Sequence, residues 1–452
     1  MTDAEAPERP WTAPSVDLTA ALLLVVVSAA LGGASRGAPL ALAAVELASL
    51  PLLWVAVRRL AAGGRWRAAA APLTLLALAM ILPWLQLVPL PPAIWTALPG
   101  RALLAEAPAR AGLAPGWRPV SLSPDDTLRA ALALIPPAAM FLAAITLGPR
   151  ERRLAAAAWI VMGLAGLALG AAQLTAPTYL YAETTRGTVT GFFANRNHQA
   201  SMLLGLIPLA AVGAAGLAGE RRERLAATLC ALFLPLAIIG LAAIRSRAGV
   251  ILCAPALLGA LALGWRAAGG RKFWPVLLAA GCVAAVGAVL AFGLSPILQR
   301  FVGDGRAEAR FEVWPHAVAM AQAYQPVGGG IGAFDRLFRQ VEPLSLVTAD
   351  TFVHAHNEVL EIWVEAGWIG LALATAFLVW LLSAIARAWF TDRADALRAA
   401  AGLTALLLLA HAMVDYGLRN PALAVLLAFS CGSLASPRDQ PARGRGEEAP
   451  SR

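Results

Sequence analysis

Between Thr351 and Gly370 the chain reads TFVHAHNEVLEIWVEAGWIG, and the apolar run that begins there continues to about residue 386. Two histidines (His354, His356) and three carboxylates (Glu358, Glu361, Glu365) stand at the mouth of a segment long enough to cross a bilayer, which takes about 20 apolar residues. A polar start with nothing but apolar residues beyond it reads as a membrane helix beginning near Asn357. The glutamates recur at spacings of four and three, so they share one face of that helix. The electropositive helix N-terminus suits the carboxylates and opposes protonation of a histidine beside it, whereas the carboxylates favour that protonation.

Working outward, the same kind of run recurs along the chain. Of 452 residues, 59% are hydrophobic and only 14% charged, more apolar surface than a soluble fold of this length can hide. Twelve spans are predicted, near 16–32, 38–57, 68–90, 128–147, 154–174, 198–218, 225–244, 248–264, 275–293, 358–386, 396–416 and 420–435. The runs are too long and too continuously apolar for barrel strands. The expected fold is therefore an all-α integral membrane protein, a bundle of about twelve transmembrane helices.

The net charge of +9 is carried almost wholly by arginine. The arginines cluster in alternate short connections, among them Arg58/Arg59, Arg150/Arg152/Arg153, Arg221/Arg222/Arg224 and Arg266/Arg271. Such clusters set topology and do not suggest nucleic acid, and they put both termini in the cytoplasm. The opposite connections include three long ones, 91–127, 175–197 and 294–357, rich in proline, glycine and aromatics; long ordered loops are usually functional. Residues 1–435 read as one membrane unit with a large periplasmic loop at 294–357. Residues 436–452 have the composition of a disordered tail. The acidic N-terminus argues for a retained first span and against a cleaved signal peptide. Cys230, Cys253, Cys282 and Cys431 all lie inside apolar runs without a C-x-x-C pair, so they are packing residues and neither disulfides nor metal ligands.

Polar residues on the outward side are the candidates for chemistry. Arg245 and Arg247 sit at the outer end of a span, against the charge rule, and a guanidinium fork binds phosphate oxygens, a reading preferred to snorkelling toward lipid headgroups. Read on one helix, the two point to different sides. Arg306, Arg310 and Trp314 recur at spacing four on a predicted helix that Pro315 should kink or interrupt. PVGGGIGAF (Pro326–Phe334) is expected to be a tight turn, because no strand–helix context supports a nucleotide loop. In GFFANRNHQA, Asn195, Asn197 and His198 suit sugar hydroxyls or, equally, a helix cap. Within the spans, Glu46 needs a partner in the bundle, and His411 and Asp415, four apart, can pair.

In this order these residues resemble the O-antigen ligase family, bacterial membrane glycosyltransferases that include O-antigen polymerases. The family's histidine signature is met by His356-Asn357, nine residues, Gly367, two residues and Gly370. Its S-R-G resembles Ser246-Arg247-Ala248-Gly249 with an inserted alanine, and its R-x-x-x-W resembles Arg310–Trp314. GFFANRNHQA is similar to a segment that precedes a family helix. The resemblance implies transfer of a glycan from undecaprenyl diphosphate to an acceptor hydroxyl, at the periplasmic side of the inner membrane, without metal or other cofactor. The expected partners are that lipid-linked glycan, lipid A core (favoured) or a growing glycan as acceptor, and the bilayer itself. His356 is then the base, and Arg247 and Arg310 hold the diphosphate. Asn195, Asn197, Asn357 and Glu361 are the further substrate-binding candidates. A polymerase of the same family is the nearest alternative. A transporter is the alternative from another class, favoured by Glu46 and the His411/Asp415 pair, although polarity concentrates outside the midplane and no paired broken helices are evident.

Overall fold

The computed structural model describes residues 15–267, 305–347, 352–391 and 395–437, apart from 36, 64, 177, 182–186 and 216–220, with isolated positions between 268 and 304; the side chains of 65, 221–223 and 305–310 fall outside the described set. Helices dominate: α1 (Val16–Leu31), α2 (Pro39–Gly63), α3 (Ala70–Leu87), the short α4 (Pro92–Trp95) and α5 (Ala102–Arg110), α6 (Pro124–Ala133), α7 (Ile135–Thr146), α8 (Pro149–Ala172), α9 (Arg196–Ala214), α10 (Arg221–Ile244), α11 (Arg247–Ala267), α12 (Gly305–Ala323), α13 (Phe334–Phe338), α14 (Glu358–Ala386), α15 (Ala396–Ala412) and α16 (Pro421–Ala435).

Among the described residues, seven stretches are long and apolar enough to cross a membrane: α2, α3, α6 with α7, α8, α10, α11 and α14; α1, α15 and α16 are apolar but shorter. Eleven of the twelve expected spans thus have a helix at their place. The expected ninth, 275–293, lies outside the described residues apart from isolated positions, as does nearly all of the tail. The expected span at 128–147 is two helices meeting at Leu134, just ahead of Pro136 and Pro137. Pro315 does not interrupt its helix: α12 runs through it from Gly305 to Ala323.

The centre of the bundle is α9. Fifteen of its nineteen residues are buried, as a helix apolar nearly all round should be, and α8, α10, α11 and α15 pack around it. A second group packs α7 against α2 and α16. Helices α2 and α3 bury few residues and leave Trp54 and Trp84 exposed on their outer sides, in keeping with a lipid-facing surface. Glu46 on α2 has no side-chain partner among the described residues.

A smaller apolar core sits over one end of the bundle. It joins Val313, Ala317 and Met320 of α12, Phe334 and Phe338 of α13, Ala355, and Leu360 and Val364 of α14. Helix α14 is bent here: Gly367 has φ +61° inside it. The bend frees carbonyls, and the chain 325–330 satisfies them. Gly329 N–H donates to Val364 O and Gly330 N–H to Glu365 O, both at 2.9 Å, while Trp368 N–H donates to Pro326 O at 3.1 Å. Gln86 Nε2 also donates to Glu365 O, at 3.0 Å. A Cβ on Gly367 would lie 2.1 Å from Pro326 O. The expected tight turn at PVGGGIGAF is therefore present, with Gly328, Gly330 and Gly332 all at positive φ. It is docked on the kink of the histidine-bearing helix.

Candidate functional site

Five helix ends converge beneath this small core. Helix α1 finishes at Gly32, whose carbonyl accepts the Ala422 N–H of α16 at 3.1 Å; Gly33 O accepts the Ala194 N–H, also at 3.1 Å, just ahead of α9. Helices α14 and α15 bring their polar ends to the same place. The side chains that meet there are His198 (α9), His354 and His356 (ahead of α14), Asp415 and Tyr416 (after α15), Arg419, and Asn420 at the start of α16.

Tyr416 is the hub. His354 lies flat against its ring, 4.3 Å between centroids at 26°. His356 meets it edge-on at 4.8 Å and 74°, and His198 at 4.8 Å and 82°. Aromatic pairs at these separations and angles are favourable beyond the area they bury. Three of the chain's five histidines thus surround one tyrosine.

Asp415 is fully buried. Its Oδ1 accepts from His356 Nδ1 at 3.1 Å and from the Tyr416 N–H at 2.9 Å. His198 Nε2 stands 3.8 Å from the same oxygen, while Asn420 Nδ2 donates to His198 Nδ1 at 2.7 Å. Burial pushes the Asp415 carboxyl pKa up, but the hydrogen bond from His356 and the nearby His198 imidazole outweigh it and hold it well below the usual carboxylate range. With its proton on Nδ1 facing Asp415, His356 carries its lone pair on Nε2. That arrangement suits a general base oriented by a carboxylate. His356 also sits at φ +52°, in the left-handed region that costs a residue with a β-carbon roughly 1–2 kcal/mol. Strain of this kind persists only where neighbouring contacts hold it.

One turn into α14, the three glutamates share a face as their spacing requires, and that face meets Arg419. Its Nε lies 2.7 Å from Glu358, Nη1 2.8 Å from Glu365 and Nη2 3.6 Å from Glu361. Burial works against the Arg419 charge, and the three carboxylates override it, so its pKa stands well above the ordinary value. Glu365 also accepts the Phe334 N–H at 3.2 Å, which ties α13 to the cluster.

The candidates named from sequence fall into three groups. His356, Asn357 and Glu361 come together at the site. Asn357 caps α14, accepting the Leu360 N–H at 3.1 Å, and Glu361 is fully buried against His354. Asn195 caps α9 by accepting the Asn197 N–H at 2.9 Å, and both asparagines lie within one turn of His198. Arg247 begins α11, behind a Ser246 cap whose Oγ accepts the Gly249 N–H at 3.2 Å. Arg245 and Arg247 are not on one helix: α10 ends at Ile244 and Arg245 turns the chain at φ +55°. The start of α11 packs on α9, since a Cβ on Gly249 would lie 3.2 Å from the Ala200 Cβ. The side chain of Arg310 lies outside the described residues, but Trp314, one turn on, donates its indole N–H to Ala355 O at 3.1 Å, next to His356.

Sequence reasoning missed Tyr416 and Arg419 altogether, and gave Asp415 the wrong emphasis by weighing it only against His411. A hint was present: DYGLRN, at the end of an apolar run, is as polar as the start of α9. Nothing in it tells which distant residues it meets.

Residues 231–375 match the family described as O-antigen ligase, which bears out the resemblance read from the motifs. The matched stretch runs from within α10 to within α14 and so contains Arg247, Arg310 and the whole His354–Glu365 segment, while His198, Asp415, Tyr416 and Arg419 come from outside it. No curated protein matches the chain significantly.

Proposed function

We propose that this multi-pass membrane protein is a glycosyltransferase of the O-antigen ligase type. It moves a glycan from undecaprenyl diphosphate to an acceptor hydroxyl, with lipid A core the favoured acceptor, at the periplasmic face of the inner membrane. The observation that carries the reading is the His356–Asp415 pair, set at converging helix ends within and beside the stretch that matches the family.

The acceptor hydroxyl attacks the anomeric carbon. Its C–O bond forms as the bond from that carbon to the diphosphate oxygen breaks, and the proton passes to His356 Nε2. Asp415 holds the imidazole by Nδ1 and favours the imidazolium that results. Charge develops on the departing diphosphate, where fixed guanidinium groups help most. Arg247 and Arg310 are assigned that role: the first opens α11 close to α9, and the second lies one turn from Trp314, which is bonded to the peptide before His356. Attack in line with departure inverts the anomeric centre. Asn195, Asn197 and Asn357, at the starts of α9 and α14, are the groups offered to sugar hydroxyls.

Reconstitution of the full chain with an undecaprenyl-diphosphate oligosaccharide and a choice of acceptors tests the assignment. Attachment of one donor chain to lipid A core means ligase. A ladder growing on the lipid carrier means polymerase, the family's other activity, with the same residues in the same roles. Full transfer by His356→Ala would overturn the catalytic assignment.

A further inference from the structure

Glu361 is fully buried, and its two oxygens are taken from different directions. Oε1 accepts from His354 Nδ1 at 2.7 Å, and Oε2 accepts the Ala355 N–H at 3.0 Å. The first bond places the His354 proton on Nδ1, so its Nε2 accepts from the Ser35 hydroxyl, 3.2 Å away just beyond the end of α1. The ring held in this way is the one that lies flat on Tyr416, and Tyr416 in turn stands edge-on to His356. The second bond grips Ala355 by its N–H, while the indole of Trp314 grips the same residue by its carbonyl, at 3.1 Å. Asn357, on the other side, is fixed as the cap of α14. His356 is therefore held from both flanks in a left-handed backbone conformation that a side chain rarely adopts.

We infer that Glu361 and His354 are positioning residues for His356: together they hold the Ala355 peptide and the Tyr416 ring so that the His356 imidazole stays on Asp415. The inference rests on the reading of His356 as the base. It gives Glu361 a part different from direct substrate binding. It also separates the two histidines of the motif. Both ring nitrogens of His354 are engaged within the protein and the residue is 6% exposed, so it takes no proton from an acceptor. Among the described residues, the titratable and charged groups around His356 include Asp415, His198, His354 and Tyr416, and behind them Glu358, Glu361, Glu365 and Arg419.

The test compares the full chain with Glu361→Gln, His354→Phe, His354→Asn and His356→Ala. One readout is transfer from an undecaprenyl-diphosphate oligosaccharide to lipid A core, as kcat and KM across pH. The other needs no activity: ¹⁵N resonances of labelled histidines in nanodiscs, with His356 identified by its loss in His356→Ala. Glu361→Gln and His354→Phe are expected to lower kcat about 10–100-fold, the range typical of groups that orient a working residue, with donor KM within about twofold. The His356 titration is expected to move to lower pH by roughly half a unit to one unit, because its contact with a carboxylate is loosened. His354→Asn, which keeps an N–H toward Glu361, recovers part of both. Unchanged kcat with an unmoved His356 titration overturns the inference, as does lost activity with an unmoved titration, which is mere support of the fold. Where Glu361→Gln does not insert, His354→Phe decides, since it leaves the Arg419 cluster whole. Activity in His356→Ala sinks the base reading instead, and the resonance titration still judges the positioning.

Discussion

Asp415 offers one carboxylate to two imidazoles, and its ionisation sets what His356 can do. Its pKa in the fold is depressed from an ordinary value of 3.8. The stabilising contribution is therefore complete above about pH 3.8, and it is lost only as the pH falls through the much lower folded value. Between pH 5 and 8, roughly the range in which histidine titrates, Asp415 stays charged. An acid limb of activity in that range therefore does not come from Asp415. Asp415→Asn removes the anion that favours imidazolium, so the acid limb is expected to shift to lower pH while kcat falls; a pH–rate profile of the reconstituted variant checks the sign. His356→Ala is expected to lower transfer by about 10²–10⁴-fold, the span of general base catalysis, with the variant still inserted, as shown by its yield and monodispersity in detergent.

At the scale of the element, the decisive feature is the bend in α14. A regular helix from Asn357 onward would satisfy its own carbonyls and leave the 326–330 turn nothing to bind. The positive φ at Gly367 opens the helix so that this turn and Gln86 can dock. Gly367→Ala adds a Cβ against Pro326 O at a left-handed position. The expected cost is roughly 1–2 kcal/mol for the conformation and about 1–3 kcal/mol for the overlap, read as a lowered unfolding midpoint in detergent. The cap is the other element-scale device: Asn357→Ala removes an acceptor from the first turn of α14, and a loss of about 1 kcal/mol is expected in the same assay.

At the scale of the molecule, Arg419 ties the end of the bundle together. It follows α15, precedes α16, and pairs with three carboxylates on α14. Arg419→Met leaves those carboxylates buried without their cation, and a loss of about 3–5 kcal/mol is expected, measured as failure to withstand heating in detergent that the native chain tolerates. Orientation in the membrane is a property of the same scale. On a cysteine-free background, Leu344→Cys, at a 90% exposed position on the turn whose Leu346 enters the small apolar core, should react with an impermeant maleimide in spheroplasts. Arg150→Cys, exposed where α8 begins, should react only after permeabilisation; the reverse pattern would turn the molecule over.

The sequence by itself determined the class of fold, the places of eleven of the twelve expected helices, a helix start near Asn357, the tight turn at 326–334 and the shared face of the three glutamates. Each of these follows from local composition or from a period of three to four residues. It also singled out His356, through a spacing that ends on Gly367, although it gave no reason for that glycine. Only the tertiary structure supplied the reason, an inward bend docked on a turn some forty residues earlier. Only the tertiary structure, too, brought Asp415 and Tyr416 to the histidines and Arg419 to the glutamates. Those contacts join residues more than fifty positions apart, across helix ends whose order around the bundle is fixed by packing, and a linear pattern carries no record of which ends meet.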